Sequence, residues 1–219
     1  MFALHFIFLY NYCGDYMIKF IDKDSCYIDD CVKIGDGCVI YPGVVIEGEG
    51  GIGSNTLIGP GSFIRNSNIG SNCNVFSSHI FDSNISDGVS VGPYAFIRDG
   101  VSVSSDCRVG SFVEVKNSSI DTGSKVSHLS YIGDASIGSG VNVGGGVITA
   151  NYDGVRKNKT VVNDGAFIGS NCTLVAPVSI GSNSVVGASS CIVSDVADDS
   201  LSIARSHQVN KNGYYKKSV

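Results

Sequence analysis

Residues 34–64 read IGDGCVIYPGVVIEGEGGIGSNTLIGPGSFI, and an aliphatic residue returns at every sixth position of this stretch. The repeating positions are Ile34, Ile40, Ile46, Ile52, Ile58 and Ile64. A period of six matches neither the 3.6-residue period of an α-helix nor the two-residue alternation of a simple strand. It is typical of a hexapeptide β-helix, in which short strands alternate with tight turns and glycine supplies the unusual dihedral angles. The stretch therefore predicts an all-β chain coiled as a parallel β-helix.

The same repeat continues through most of the remaining chain. It passes through shorter, five-residue steps between Ile69 and Ile85, returns to six from Val91 to Val115, and runs again from Val162 to Ile192. Each coil buries its aliphatic residues only against the coils above and below, so a stable array needs many repeats, here roughly nine or ten coils. We expect an N-terminal extension over residues 1–30, with Met17 as an alternative start, a β-helix over 31–195 and a short C-terminal arm over 196–219.

Composition excludes several other classes of protein. With 219 residues and a net charge of −5, the chain lacks the basic excess of a general nucleic-acid binder. The apolar segment Met1–Tyr10 is far shorter than the ~20 residues that span a bilayer, and it has no basic leader or cleavage site. We therefore expect no partner nucleic acid and no membrane span.

The eight cysteines do not form a metal-binding or disulfide pattern, because no Cys-x-x-Cys motif is present. Four of them, Cys38, Cys73, Cys107 and Cys172, fall at one recurrent small-residue position of the repeat. We expect them to be reduced and packed as small apolar side chains, which indicates a cytoplasmic protein.

The residues that suggest chemistry lie between Arg98 and Lys159. Arg98 and Lys116 are one 18-residue coil apart, so they should stack in adjacent strands ~4.8 Å from each other. Two cations at that distance repel each other unless an anion lies between them, and a phosphate suits an arginine and a lysine. The alternative is a pair of solvated surface cations.

His128 is the one histidine of this stretch and a candidate general base, because histidine titrates near neutral pH. Glu114 falls in the same coil neighbourhood and could orient the imidazole ring. A surface histidine without a role is the alternative. No cluster of metal ligands is visible, so we expect no metal site.

Two further features break the repeat. Gly144-Gly145-Gly146 exposes backbone N–H groups that suit an oxyanion or the pantetheine arm of a cofactor, although an ordinary turn is the alternative. The segment from Ala150 to Val161 interrupts the six-residue step, and such an ejected loop is a common place for functional residues.

Whole phrases of the sequence resemble a known family. VGPYAFIRDG (91–100), GSKVSHLSYIGDASIGSGVNVGGGVITANYDGVRKNKT (123–160) and FIGSNCTLVAPVSIGSNSVVGASS (167–190) are similar to the C-terminal acetyltransferase domain of the bacterial bifunctional N-acetylglucosamine-1-phosphate uridyltransferase and glucosamine-1-phosphate N-acetyltransferase. The resemblance runs from about Cys31 to Arg205. It implies a left-handed β-helix of the hexapeptide acyltransferase superfamily that acetylates glucosamine 1-phosphate from acetyl-CoA, a step of UDP-N-acetylglucosamine biosynthesis.

The resemblance also implies roles for individual residues. His128 matches the general base that takes a proton from the sugar's 2-amino group. The residues that match the sugar-phosphate site are Arg98, Lys116, Tyr131, Asn142 and Lys157. The residues that match the acetyl-CoA side are Gly145, Asn151, Tyr152, Ser170, Ala188 and Arg205.

Two positions differ from the family pattern. Gly145 stands where the family usually has alanine, a change that keeps the backbone N–H. Asp99 replaces the proline that usually follows the first arginine, and its negative charge is expected to weaken phosphate binding.

The resemblance further implies a homotrimer whose active sites are shared between subunits. The family's N-terminal nucleotidyltransferase domain has no counterpart before Ile34, so uridyl transfer and its magnesium are expected to be absent, and a separate uridyltransferase is a possible partner. The sequence leaves two alternative functions open: acetylation of another, nucleotide-linked amino sugar, and a non-catalytic trimeric scaffold.

Overall fold

Residues 17–212 and 214 are described by a computed structural model of the chain. The predicted use of residues 1–16 therefore lies outside the described residues. The described part contains thirty short strands arranged in three parallel sheets. It contains no helix, and hence none that could cross a membrane.

The strands are numbered in chain order, and up to β29 every third strand belongs to the same sheet; β30 joins the first sheet after β28. The first sheet contains Lys19–Phe20 (β1), Val39–Ile40 (β4), Leu57–Ile58 (β7), Asn74–Val75 (β10), Ser90–Val91 (β13), Arg108–Ser111 (β16), Lys125–His128 (β19), Asn142–Val143 (β22), Phe167–Ile168 (β25), Val185–Val186 (β28) and Leu201–Ser202 (β30). The second contains Tyr27–Ile28 (β2), Val45–Glu47 (β5), Phe63–Arg65 (β8), His79–Phe81 (β11), Phe96–Arg98 (β14), Glu114–Lys116 (β17), Tyr131–Gly133 (β20), Ile148–Ala150 (β23), Thr173–Val175 (β26) and Cys191–Ile192 (β29). The third contains Lys33–Ile34 (β3), Gly51–Ile52 (β6), Asn68–Ile69 (β9), Asn84–Ile85 (β12), Ser102–Val103 (β15), Ser119–Ile120 (β18), Ala135–Ile137 (β21), Thr160–Val162 (β24) and Val178–Ile180 (β27).

Each coil contributes one strand to each sheet, and each strand pairs in parallel with its counterpart in the next coil. Ile40 pairs with Ile58, and Ile46 with Ile64, so the hexapeptide aliphatics form continuous columns. The prediction of an all-β, left-handed parallel β-helix of about ten coils is confirmed. The sheets begin at Lys19 and end at Ser202, so β1, β2 and β30 lie in the segments predicted as the N-terminal extension and the C-terminal arm.

The core is the interior of the coil, and it is built from the repeated aliphatic residues. Ile40, Ile58 and Ile80 are fully buried, whereas Ile34, near the first described coil, is half-buried. The expected packing of cysteines at one small-residue position is also confirmed, because Cys38, Cys73, Cys107 and Cys172 are free and buried. Burial raises the pKa of Cys73 and Cys107.

The predicted site residues lie mainly at two corners of this three-sided coil. The first corner is the set of turns that lead from the first sheet into the second, such as residues 144–147. The second corner is the set of turns that lead from the second sheet into the third. The ejected loop, residues 151–159, leaves the coil at the second corner, between β23 and β24.

Candidate active site

A cluster of cations lies at the second corner. Arg98 and Lys116 are direct neighbours in adjacent strands, which confirms the stacking predicted from their spacing. The Arg98 Nη2 donates to Glu114 Oε1 at 2.6 Å, and this hydrogen bond raises the pKa of Arg98. Both cationic side chains are largely shielded from solvent, with 28% of Arg98 and 17% of Lys116 exposed. Arg98 is therefore held in one orientation before any ligand binds.

The ejected loop adds Lys157 to this cluster. The Lys157 side chain lies within hydrogen-bonding reach of Lys116, and this contact lowers the pKa of Lys157. The loop keeps its shape through Asp153, whose Oδ1 accepts from the backbone N–H groups of Val155 and Arg156 at 2.9 and 2.8 Å. Two ammonium groups this close repel each other, and an added anion would relieve the repulsion.

A hydrogen-bonded network lies beside the cations. The buried amide of Asn151 donates from Nδ2 to the Tyr131 hydroxyl at 3.3 Å and to Asp134. Asp134 also accepts from Asn117 Nδ2 at 2.6 Å. The Tyr131 ring lies over Gly133, where the bulk of a Cβ would collide with its hydroxyl. Asn151, predicted for the acetyl-CoA side, thus contacts Tyr131, which is one of the residues predicted for the sugar phosphate.

Four other predicted residues line the first corner in successive coils. His128, Gly145, Ser170 and Ala188 form a column, because each turn donates a backbone N–H to the one before it. Gly146 N donates to the His128 carbonyl at 3.2 Å, Asn171 N to the Gly145 carbonyl at 2.8 Å and Ser189 N to the Ser170 carbonyl at 2.8 Å. His128, Ser170 and Ala188 are exposed, so the column presents an imidazole beside a row of small side chains.

The triple glycine builds the middle of this column. A Cβ at Gly144 would lie 2.6 Å from the Ser170 backbone N, so the coils approach too closely for any side chain there. At Gly145 a Cβ would lie 3.5 Å from the His128 Cβ, which is ordinary contact. The N–H groups of Gly144 and Gly146 bond to neighbouring coils, whereas the Gly145 N–H has no partner within the described part of the chain. Gly145 thus offers a free donor beside His128.

Two predicted contacts are not made within one chain. The Glu114 carboxylate, predicted to orient His128, binds Arg98 in the single chain, because Glu114 lies in the second sheet and His128 at the first corner. Asn142 lies on the first sheet, paired with Lys125 and Phe167, away from the cation cluster.

The two remaining residues predicted for acetyl-CoA are exposed. Tyr152 lies on the ejected loop, where its hydroxyl donates to the Gly154 carbonyl at 2.7 Å. Arg205 follows Ala204, which is hydrogen-bonded to Ser190 and Cys191 one coil beyond the column.

A groove of about 390 Å³ opens beside the cation cluster, between the ejected loop and the third sheet. Its walls include Asn117, Asp134 and Lys157, and its floor includes Ser119 and Ser136. Asn117 and Asp134 were missed by the sequence analysis. Their signal was a recurring Asn or Asp at the left-handed turn position of each coil, which the hexapeptide pattern alone does not distinguish from an ordinary turn.

Comparison with curated proteins identifies relatives along nearly the whole chain. The bifunctional protein GlmU of Carboxydothermus hydrogenoformans is 50% identical over 199 residues, which cover 91% of this chain and 45% of that protein. Those of Thermotoga maritima and Clostridioides difficile are 48% and 47% identical over 200 residues, again 91% of this chain and 45% and 44% of theirs. The chain thus spans less than half the length of the curated relatives it matches. No family model matches it.

Solved structures share the fold at much lower identity. A UDP-N-acetylglucosamine acyltransferase from Arabidopsis has a TM-score of 0.70 at 15% identity, covering 83% of this chain and 70% of that one. The enzyme of the same description from Francisella novicida has a TM-score of 0.59 at 18% identity, covering 86% and 67%. At these identities the likeness concerns the β-helix itself.

Proposed function

We propose, from the premise that this chain is homologous to the C-terminal part of the bifunctional GlmU proteins, that it transfers the acetyl group of acetyl-CoA to the amine of glucosamine 1-phosphate. The observation that carries the proposal is the convergence of Arg98, Lys116 and Lys157 at the second corner. Three cations at one place suit a dianionic phosphate. A neutral or nucleotide-linked amino sugar has no phosphate monoester for them to bind.

The chemistry requires a base, an oriented amine and a donor for the oxyanion. His128 removes a proton from the sugar's 2-amino group as the amine nitrogen attacks the thioester carbonyl carbon. The C–N bond forms, the C–S bond breaks, and coenzyme A leaves as the thiol after taking up the proton. The free Gly145 N–H is suited to the oxyanion that develops in between. No covalent enzyme intermediate and no metal is required.

Acetyl-CoA is the proposed co-substrate, bound along the first corner. Gly145, Ser170 and Ala188 carry small or no side chains, which leaves room for a narrow pantetheine arm running parallel to the helix axis. Arg205, one coil further on, is a candidate for the cofactor's phosphates, and Tyr152 on the ejected loop is a candidate contact with the same arm.

Two copies of the chain are proposed to build each site. His128 and the cation cluster lie at different corners, separated by the width of the second sheet, on the order of 15 Å for five extended residues. In glucosamine 1-phosphate the amine and the phosphate are on adjacent carbon atoms, so one molecule cannot reach both corners of a single chain. A homotrimer would bring the first corner of one copy to the second corner of the next.

An exposed apolar row beside His128 also supports this assembly. Tyr94, Phe112 and Leu129 occupy the first corner in three successive coils and are 62%, 58% and 65% exposed. The Tyr94 and Phe112 rings stack with centroids 5.2 Å apart. Contiguous exposed apolar side chains of this kind are typical of a surface that packs against a partner.

The proposal is tested by offering the protein acetyl-CoA with each of four amines: glucosamine 1-phosphate, glucosamine 6-phosphate, glucosamine and a nucleotide-linked glucosamine. Release of free thiol should be fastest with the 1-phosphate. A preference for the nucleotide-linked sugar would overturn the substrate assignment in favour of the second candidate reaction.

The non-catalytic alternative is tested separately. Acetyl-CoA should raise the unfolding temperature of the protein, because a ligand that binds only the folded state stabilises it. A bare scaffold would release no thiol and would show no shift.

A further inference from the structure

The second corner is lined by asparagine and aspartate residues in the left-handed backbone conformation. Asn66, Asp82, Asp99, Asn117 and Asp134 occupy this position in five successive coils, with φ between 45° and 62°. Asparagine and aspartate tolerate this conformation better than other residues with a side chain. Four of the five side chains pair within the row: Asn66 Nδ2 donates to Asp82 at 3.0 Å, and Asn117 Nδ2 donates to Asp134 at 2.6 Å.

Asp99 is the exception in this row. Its carboxylate turns away from Asp82 and Asn117 and meets the cations instead. Asp99 Oδ2 accepts from Arg98 Nη1 at 2.8 Å and lies 3.7 Å from Lys116 Nζ. One oxygen atom of Asp99 thus lies between the two cations that were predicted to hold a phosphate oxygen.

The remaining contacts show what this carboxylate leaves unsatisfied. Arg98 Nε is buried and has no hydrogen-bond partner among the described residues, and Lys157 remains against Lys116. A single carboxylate oxygen cannot serve all of these donors, whereas a phosphate presents three oxygen atoms. Asp99 is also 48% exposed, so solvent can reach it and its side chain has room to leave.

We propose that Asp99 is a specificity-determining residue that occupies the phosphate position in the free protein and must be displaced when the sugar phosphate binds. This inference rests on the proposed function and deepens it. Asp99 keeps Arg98 and Lys116 paired in the absence of ligand. An anion therefore binds only if it interacts with the two cations more strongly than the Asp99 carboxylate does. A monoanionic ligand competes poorly with the Asp99 carboxylate, whereas a phosphate dianion forms additional charge-assisted hydrogen bonds that offset the free-energy cost of displacing Asp99.

The test compares D99N with the matched control D82N. Asparagine is nearly the same size as aspartate and suits the left-handed backbone, so both variants should fold. Asp82 occupies the equivalent position one coil earlier but bonds to Asn66 and to no cation in the described structure. Both substitutions change the net charge by the same amount.

Binding of glucosamine 1-phosphate, and separately of inorganic phosphate, is measured by titration calorimetry at one salt concentration. D99N should bind both roughly two- to fivefold more tightly than wild type, the range expected for removing one partly exposed opposing charge. D82N should bind as wild type does.

Three results would overturn the proposal. Equal or weaker binding by D99N shows that Asp99 does not compete, and equal tightening by D82N shows a general effect of net charge. Binding of glucosamine 1-phosphate by the wild type in either case leaves the proposed function standing. Absence of binding by all three proteins contradicts the proposed function and the role of Asp99 with it.

Discussion

Gly144 and Gly145 are adjacent glycines with opposite predicted responses to the same substitution. In Gly144→Ala the new Cβ would lie 2.6 Å from the Ser170 N and 2.8 Å from the Ile168 carbonyl oxygen, and both are backbone atoms of the next coil. In Gly145→Ala the nearest atom would be the His128 Cβ at 3.5 Å. The difference tests whether the first corner is packed as tightly as the column of His128, Gly145 and Ser170 implies.

The change in the free energy of unfolding that each substitution causes follows from the packing around it. The Ser170 backbone cannot move alone, because its coil is paired with coils on both sides, so Gly144→Ala should cost the ~1–3 kcal/mol typical of an overpacked core. For a chain of this size that corresponds to a decrease in unfolding temperature of roughly 2–12 °C. Gly145→Ala should be neutral or stabilise the protein by up to about 1 kcal/mol, because alanine restricts the unfolded chain without strain in the folded one.

Thermal unfolding followed by circular dichroism, at one protein concentration because an oligomer's unfolding temperature depends on it, measures both variants. We expect a clear decrease in unfolding temperature for Gly144→Ala alone, with acetyl transfer retained by Gly145→Ala. Equal decreases for the two variants, or no decrease for Gly144→Ala, would refute this description of the corner.

Three further experiments test the site. Lys116→Met should decrease the affinity for glucosamine 1-phosphate. The pH above which binding weakens should also rise, because Lys116 lowers the pKa of Lys157 and Lys157 must be protonated to bind the phosphate. An unshifted pH profile of the dissociation constant would contradict this. Asn151→Ala should weaken binding of the sugar phosphate by roughly five- to 150-fold, the cost of leaving buried polar partners unpaired, while the dissociation constant of acetyl-CoA is unchanged. Weaker binding of acetyl-CoA alone would contradict this and support the contact with acetyl-CoA that the sequence predicts for Asn151. If sites are shared between copies as proposed, His128→Ala and Lys116→Ala proteins, each strongly impaired alone, should regain about a quarter of wild-type activity when unfolded and refolded as an equal mixture, because a quarter of the sites then carry both residues. No regain would place both residues of a site in one chain.

The fold could be predicted from sequence because a β-helix repeats one local rule. Each aliphatic position, such as Ile58 or Ile97, is buried by its counterparts one coil away, so spacing alone specifies the pairing. The stacking of Arg98 on Lys116 followed from the same rule. The ends were harder, because β1 and β30 depart from the six-residue pattern while still pairing with the first sheet.

The site was less accessible to sequence reasoning because it depends on the corner at which each residue lies. His128 and Glu114 are close in sequence but lie at different places in one chain. His128 is at the first corner, whereas the Glu114 side chain is held by Arg98 on the second sheet. The position of Lys157 depends on Asp153, a loop residue outside the repeat. Asp99 was recognised as a negative charge near the phosphate site, but its contact with both cations required the structure.

His128 is proposed to act as the base when this β-helix transfers an acetyl group to an amino-sugar phosphate. This proposal is tested most directly by incubating the wild-type protein and His128→Asn with acetyl-CoA and glucosamine 1-phosphate, and measuring free thiol and N-acetylated sugar phosphate together. We expect equal amounts of the two products from the wild type, and a rate about 10²–10⁴-fold lower from His128→Asn, the contribution of a general base. No thiol above background from the wild type would show that the protein does not catalyse this transfer, and equal rates from the two proteins would show that His128 is not the base.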